Sequence, residues 1–139
     1  MEKMLDELDE LCARSRKEDT PVDLIHLHTH IAGIRHALGK MVVDAELDVK
    51  RSEERYDTHC MKTRLMLMVQ DGKLSHAKAK DQVESEASTE QMRLDVIEKT
   101  AKYQRGRMAL NTSNDVLISL AIRLNMLKQE LIESRTSNF

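Results

Sequence analysis

TPVDLIHLHTHIAGIRHALGKMVVDAELDVKRSEERYDTHCMKTRLMLMVQDG, residues 20–72, is the stretch whose reading decides the fold. Thr20 is a side-chain cap, Pro21 suits the first helical position, and Asp23 favours the positive end of a helix. Behind this start signal, Leu24, Leu27, Ile31, Ile34, Leu38, Met41, Val42, Ala45, Val49, Tyr56, Cys60 and Leu67 recur at helical spacing. At 3.6 residues per turn they fall within an arc of roughly 100°. Gly33 and Gly39 weaken the run and mark either a kink or a close helix crossing. Asp71-Gly72 ends it, because glycine readily takes the left-handed conformation at a helix C-terminus. The reading is one long helix over 20–71.

The flanks extend this pattern. Segment 1–15 holds a short helix, from Glu2 to about Ala13, with Met4, Leu5, Leu8, Leu11 and Cys12 on one side, and Arg14 to Asp19 read as a polar linker. Ser75 caps a further short helix over 75–88. Residues 89–134 carry a seven-residue repeat, with one seam of Val96, Tyr103, Leu110, Leu117, Leu124 and Leu131. A weaker seam consists of Met92, Gly106, Ser113, Leu120 and Leu127. Such seams pack against the central helix or against another subunit. The polar run Asn111-Thr112-Ser113-Asn114-Asp115 is either a break between helices or a buried polar layer that fixes register, and a continuous helix is favoured.

Composition agrees with this pattern. The 139 residues hold one Phe, two Tyr and no Trp, so large aromatic core side chains are scarce, and a third of the chain is charged. That mixture suits long helices packed along narrow apolar seams, and self-association supplies burial that one chain lacks. The expected fold class is therefore all-α: a long-helix hairpin or coiled-coil-like bundle, one domain by length, assembling into a homo-oligomer.

The net charge of −2 does not mark a nucleic-acid binder, but its distribution is uneven. Lys62, Arg64, Lys73, Lys78 and Lys80 face only Asp71 in their block, whereas Asp81, Glu84, Glu86, Glu90, Asp95 and Glu98 crowd the next. Blocks of opposite sign suit subunits docking side by side, and ordinary solvated helix faces produce them too. Cys12 and Cys60 form no motif and read as reduced thiols of a cytoplasmic protein. The N-terminus is unlike a signal peptide, and no run approaches the roughly 18 apolar residues of a membrane span.

No nucleophile–base–acid set, Gly-rich phosphate loop or Walker motif is present, so an enzyme and a cofactor are not expected. His26 and His30 share a helix face at a spacing that can hold zinc. His28 points elsewhere and no further ligand completes the set, so they read as surface histidines. A basic stripe is the stronger candidate. Lys40, Arg51, Arg55 and Lys62 lie within roughly 60° of one another around the helix, and His26 and His30 extend the row. Arg64 and Lys73 follow. Cations in a row can track phosphates by releasing counterions, and repetition around an oligomer tightens such binding. Ordinary surface salt bridging, such as Asp44 or Asp48 with Arg51, is the competing reading. Tyr56 and Tyr103 lie on apolar seams, so contact with a nucleic acid would be to its backbone rather than by base stacking.

Lys62-Thr63-Arg64-Leu65 on a long helix, followed by Gly72, resembles an element of the UvsY family of T-even phage recombination mediators. The layout is similar too: a short N-terminal helix, a long middle helix, a charged connection and a C-terminal helical region. The clear matching is confined to residues 62–72. The resemblance implies a ring-like homo-oligomer that binds single-stranded DNA and helps load a recombinase onto strands coated by single-strand-binding protein. It also implies that Lys62 and Arg64 touch DNA. The C-terminal helix, with Leu110, Leu117, Leu120, Leu124, Leu127 and Leu131, would then be the oligomerisation element. Scarce aromatics and the acidic stretch after Lys80 depart from that pattern. The alternative is a coiled-coil interaction module, an adaptor or a phage inhibitor of a host system, in which Lys62 and Arg64 are plain surface cations.

Overall fold

The computed structural model describes residues 1–138. It is all-α: α1 (Glu2–Ser15), α2 (Pro21–Gln70), α3 (His76–Ser85) and α4 (Ala87–Thr136), with no strand among the described residues. The described residues pack as two compact units, residues 1–42 with 105–138 and residues 43–104, and both long helices contribute to each.

Local chemistry sets the helix ends. The Thr20 hydroxyl donates to the Asp23 carboxylate, and Asp23 N–H donates back to Thr20 Oγ1 at 3.3 Å. This reciprocal pair opens α2 as its sequence announces. The far end departs from expectation, since no glycine in the chain has positive φ. Gly72 is thus not a left-handed cap. Asp71 does that work instead: its carboxylate accepts from Lys73 N–H at 3.1 Å and its carbonyl accepts from Leu74 N–H at 3.0 Å. An aspartate that folds the chain over its own side chain removes the need for a left-handed residue. Ser75 then caps α3, accepting from Lys78 N–H at 3.3 Å. Between α3 and α4 a single extended residue, Glu86, turns the chain.

In the first unit three helix segments pack side by side. Glu7 meets His30, Met1 lies beside Gly106, and Arg105 pairs with Glu2 at 3.0 Å, so α1 runs antiparallel to α2 and parallel to α4. Leu8, Leu24, Ile31, Leu38 and Leu120 are fully buried between them. Each such side chain contributes about 2 kcal/mol of transfer free energy. On α4 the innermost positions are Gly106, Ser113 and Leu120, members of the weaker repeat, while Leu110, Leu117 and Leu124 flank them half-buried. Small residues at the centre let two neighbouring helices approach. A Cβ added to Gly106 would stand 2.6 Å from Val42 Cγ2, whereas Gly33 and Gly39 have nothing within 4 Å. The close crossing therefore lies at Gly106, not at Gly33 or Gly39.

The run 111–115 does not break α4. Only Ser113 turns inward, and its Oγ accepts from Arg35 Nε at 2.9 Å, with Leu110 C=O accepting from the same guanidinium at 3.2 Å. Asn111, Thr112, Asn114 and Asp115 stay in solvent. Arg123 closes the other end of this unit: its guanidinium donates to the carbonyls of Ser15 and Glu18 and lies 3.7 Å from Asp19. The Ser15 carbonyl, an orphan at the end of α1, is thereby satisfied.

The second unit has a thinner core. Ala45, Val49 and Ser52 of α2, Ala79 and Val83 of α3, and Thr89 of α4 are its buried side chains. His59 Nε2 lies 3.1 Å from Thr89 Oγ1, which ties α2 to the first turn of α4.

Candidate nucleic-acid interface

Within the second unit, the exposed face of α2 and Met92 of α4 border an open groove of about 490 Å³. Its walls carry Arg51, Arg55, Thr58, His59 and Lys62, with Glu54 the one acidic residue lining it. The cations recur at i, i+4 and i+11, so the helix places them on one face about 6 and 10 Å apart along its axis. Arg51 sits 3.8 Å from Asp48, an exposed pair of little energetic weight. Arg55 and Lys62 make no ion pair among the described residues. Two of the three cations therefore keep their donors for an outside acceptor. His59, held from behind by Thr89, adds an imidazole ring to the same wall.

The other expected site residues lie elsewhere. Arg64 follows Lys62 by two positions, a turn of about 200° around the helix, and points to a separate cavity of about 230 Å³ beside α3. Tyr56, Asp57, Cys60, Lys80 and Glu84 line that cavity with it, and its Nε is buried with no hydrogen-bond partner. Burial, followed by a hydrogen bond with Cys60 and the nearby Glu84 charge, pushes the Tyr56 phenol up, so this hydroxyl keeps its proton. Lys62 and Arg64 thus face two different sites. Lys73 is exposed in the turn after α2, and Lys40 is exposed in the first unit. His30 is engaged with Glu7 at 3.2 Å, and His26 is exposed. No group of three or more His, Cys, Asp or Glu among the described residues is placed to hold a metal ion.

The charge blocks are partly satisfied along their own helices: Lys80 pairs with Glu84 at 3.9 Å, Arg93 with Glu90 at 2.6 Å and Lys99 with Asp95 at 2.8 Å. Of the leucines expected to join subunits, Leu120 is 1% exposed and spent in its own unit's core, while Leu131 is 56% exposed. Leu110, Leu117, Leu124 and Leu127 are half-buried. The free apolar surface of α4 in this unit lies on another face, where Met108, Ile118, Ile122 and Met126 are each more than half exposed. Sequence reasoning missed that face because the leucine repeat masks it. It also missed His59, although a residue four after Arg55 and three before Lys62 must share their side. No helix among the described residues is long and apolar enough to cross a membrane.

No family model matches this chain, and neither a curated protein nor a solved structure matches it at a significant level.

Proposed function

We propose that this chain is a non-enzymatic, homo-oligomeric binding protein that holds single-stranded DNA along the Arg51–Arg55–Lys62 groove, acting in the cytoplasm as a recombination mediator. The observation that carries the reading is a row of cations on one face of one helix, two of them unpaired and all open to solvent. The resemblance of residues 62–72 to recombination mediators supports it at Lys62, whereas Arg64, the other residue of that motif, lies outside this groove. Binding would be electrostatic capture of the phosphate backbone, followed by handover to a recombinase in the presence of single-strand-binding protein. Three cations on one chain bind weakly, and repetition around an oligomer raises the affinity through effective concentration. The exposed Met108, Ile118, Ile122 and Met126 supply an apolar face that such an assembly would cover.

The test is fluorescence anisotropy of a labelled oligonucleotide at low and moderate salt, with assembly mass followed by light scattering. Wild type is compared with Arg55→Ala/Lys62→Ala and with Arg64→Ala. The groove variant should bind far more weakly. Its slope of log affinity against log salt should be shallower by about 0.7 for each phosphate that a subunit no longer neutralises. Arg64→Ala should bind nearly as wild type, because its side chain faces another cavity. Absence of salt-sensitive binding by wild type would refute the proposal. The same apolar face of α4 would then favour the second reading, a helical interaction module whose partner is a protein.

A further inference from the structure

We infer that the first unit carries a docking groove for an acidic amphipathic helix of a partner protein, formed between the first turns of α2 and the last turns of α4. The observation is independent of the cationic groove. Ile25, Leu124, Leu127, Leu131 and Ile132 line a trough of about 480 Å³ together with Pro21, and Lys128 and Arg135 stand on its wall. No acidic side chain lines it. Ile25, Leu131 and Ile132 are each more than half exposed, although their side chains converge on one concavity. Single exposed apolar residues are normal on a protein surface, but a concave set of them marks a binding surface.

Geometry and charge narrow the occupant. Positions 124–135 of α4 cover about 16 Å of helix, which matches three turns of an incoming helix presenting apolar anchors at i, i+4 and i+7. Two cations beside an apolar floor select carboxylates flanking those anchors. The carboxylates at the start of α2 stay outside the trough: neither Asp19, which lies 3.7 Å from Arg123, nor Asp23 lines it. A second copy is a poorer occupant, because a twofold contact of this groove with itself would crowd four cations into one interface.

The probe is a fluorescein-labelled peptide of about 18 residues with leucines at helical spacing and glutamates on both flanks; its control carries lysines in place of the glutamates. Wild type should bind the acidic peptide and discriminate at least tenfold against the lysine peptide. Lys128→Glu/Arg135→Glu should reverse that preference, a readout that misfolding cannot mimic. Leu131→Asp, at an exposed position, should abolish binding of both peptides with an unchanged helical circular dichroism spectrum. Equal affinity for both peptides, or no binding of either, would overturn the inference. So would a fall in assembly mass caused by Leu131→Asp, which would make the groove a contact between copies of this chain.

Discussion

Replacing Gly106 by alanine tests the packing of the first unit against a built-in control. Any glycine-to-alanine change inside a helix gains about 1 kcal/mol of propensity. Gly33 collects that gain freely, since nothing lies within 4 Å of its new Cβ. At Gly106 the methyl would stand 2.6 Å from Val42 Cγ2 and 3.4 Å from Met1 Sδ. The methionine can swing away, but valine within a helix has one favoured rotamer and cannot yield without moving its backbone. Overpacking of this kind costs about 1–3 kcal/mol. Gly33→Ala should therefore stabilise by about 1 kcal/mol, and Gly106→Ala should be neutral or destabilise by up to about 2 kcal/mol. For a chain of this length the two melting temperatures should differ by roughly 4–12 °C. Circular dichroism melts and urea titrations at one fixed protein concentration measure the gap, because self-association would make Tm concentration-dependent. Val42→Ala in the Gly106→Ala background should recover about 1 kcal/mol relative to additivity. Equal stabilisation by both glycine substitutions would refute the close approach of α2 and α4 at this point.

Arg123→Ala should free the segment after α1, costing about 2 kcal/mol and bringing on early proteolytic cleavage within residues 16–19, read by mass spectrometry. Ser113→Ala should cost about 1 kcal/mol in a urea titration, since Arg35 keeps its bond to the Leu110 carbonyl. Gly72→Ala should be neutral or slightly stabilising in the same assay, whereas a left-handed glycine would lose about 1 kcal/mol. Burial, then the charge of Asp9, holds the Cys12 thiol above its ordinary 9.0, with Arg16 opposing. The unfolded chain therefore ionises first, so this contribution to stability is complete below that value and fades as pH rises through the folded one. Cys12→Ala should accordingly weaken the alkaline loss of stability, measured as Tm across that range.

Much of the fold was legible because its signals are local. Thr20, Pro21 and Asp23 announce α2 through capping chemistry, and Ser75 does the same for α3. What the sequence concealed depends on the neighbours. The leucine-rich repeat of α4 looks like the core, yet Gly106 and Ser113 occupy the centre, since only small residues fit where neighbouring helices approach. Gly72 sits where a left-handed cap belongs, but Asp71 has already turned the chain. The five polar residues 111–115 leave a break open as one reading, because polarity carries no direction; four of the five face water in an unbroken helix. The cationic row on α2 was legible from helical spacing. Lys62 and Arg64 form one motif in the sequence and two sites in space, because two helical positions differ by about 200°.

The thin core of the second unit sets an order of opening. α3 is only ten residues long and anchors through Ala79 and Val83, side chains too small to bury much area. Amide protons of α3 should therefore exchange with solvent faster than those of the Leu-rich packing around Leu24 and Ile31, by local detachment rather than global unfolding. No residue of α3 lines the Arg51–Lys62 groove, so that surface survives each detachment. The cavity holding Arg64 does not: it loses Lys80, Val83 and Glu84 whenever α3 lifts, and the guanidinium whose Nε has no partner in the closed form meets water.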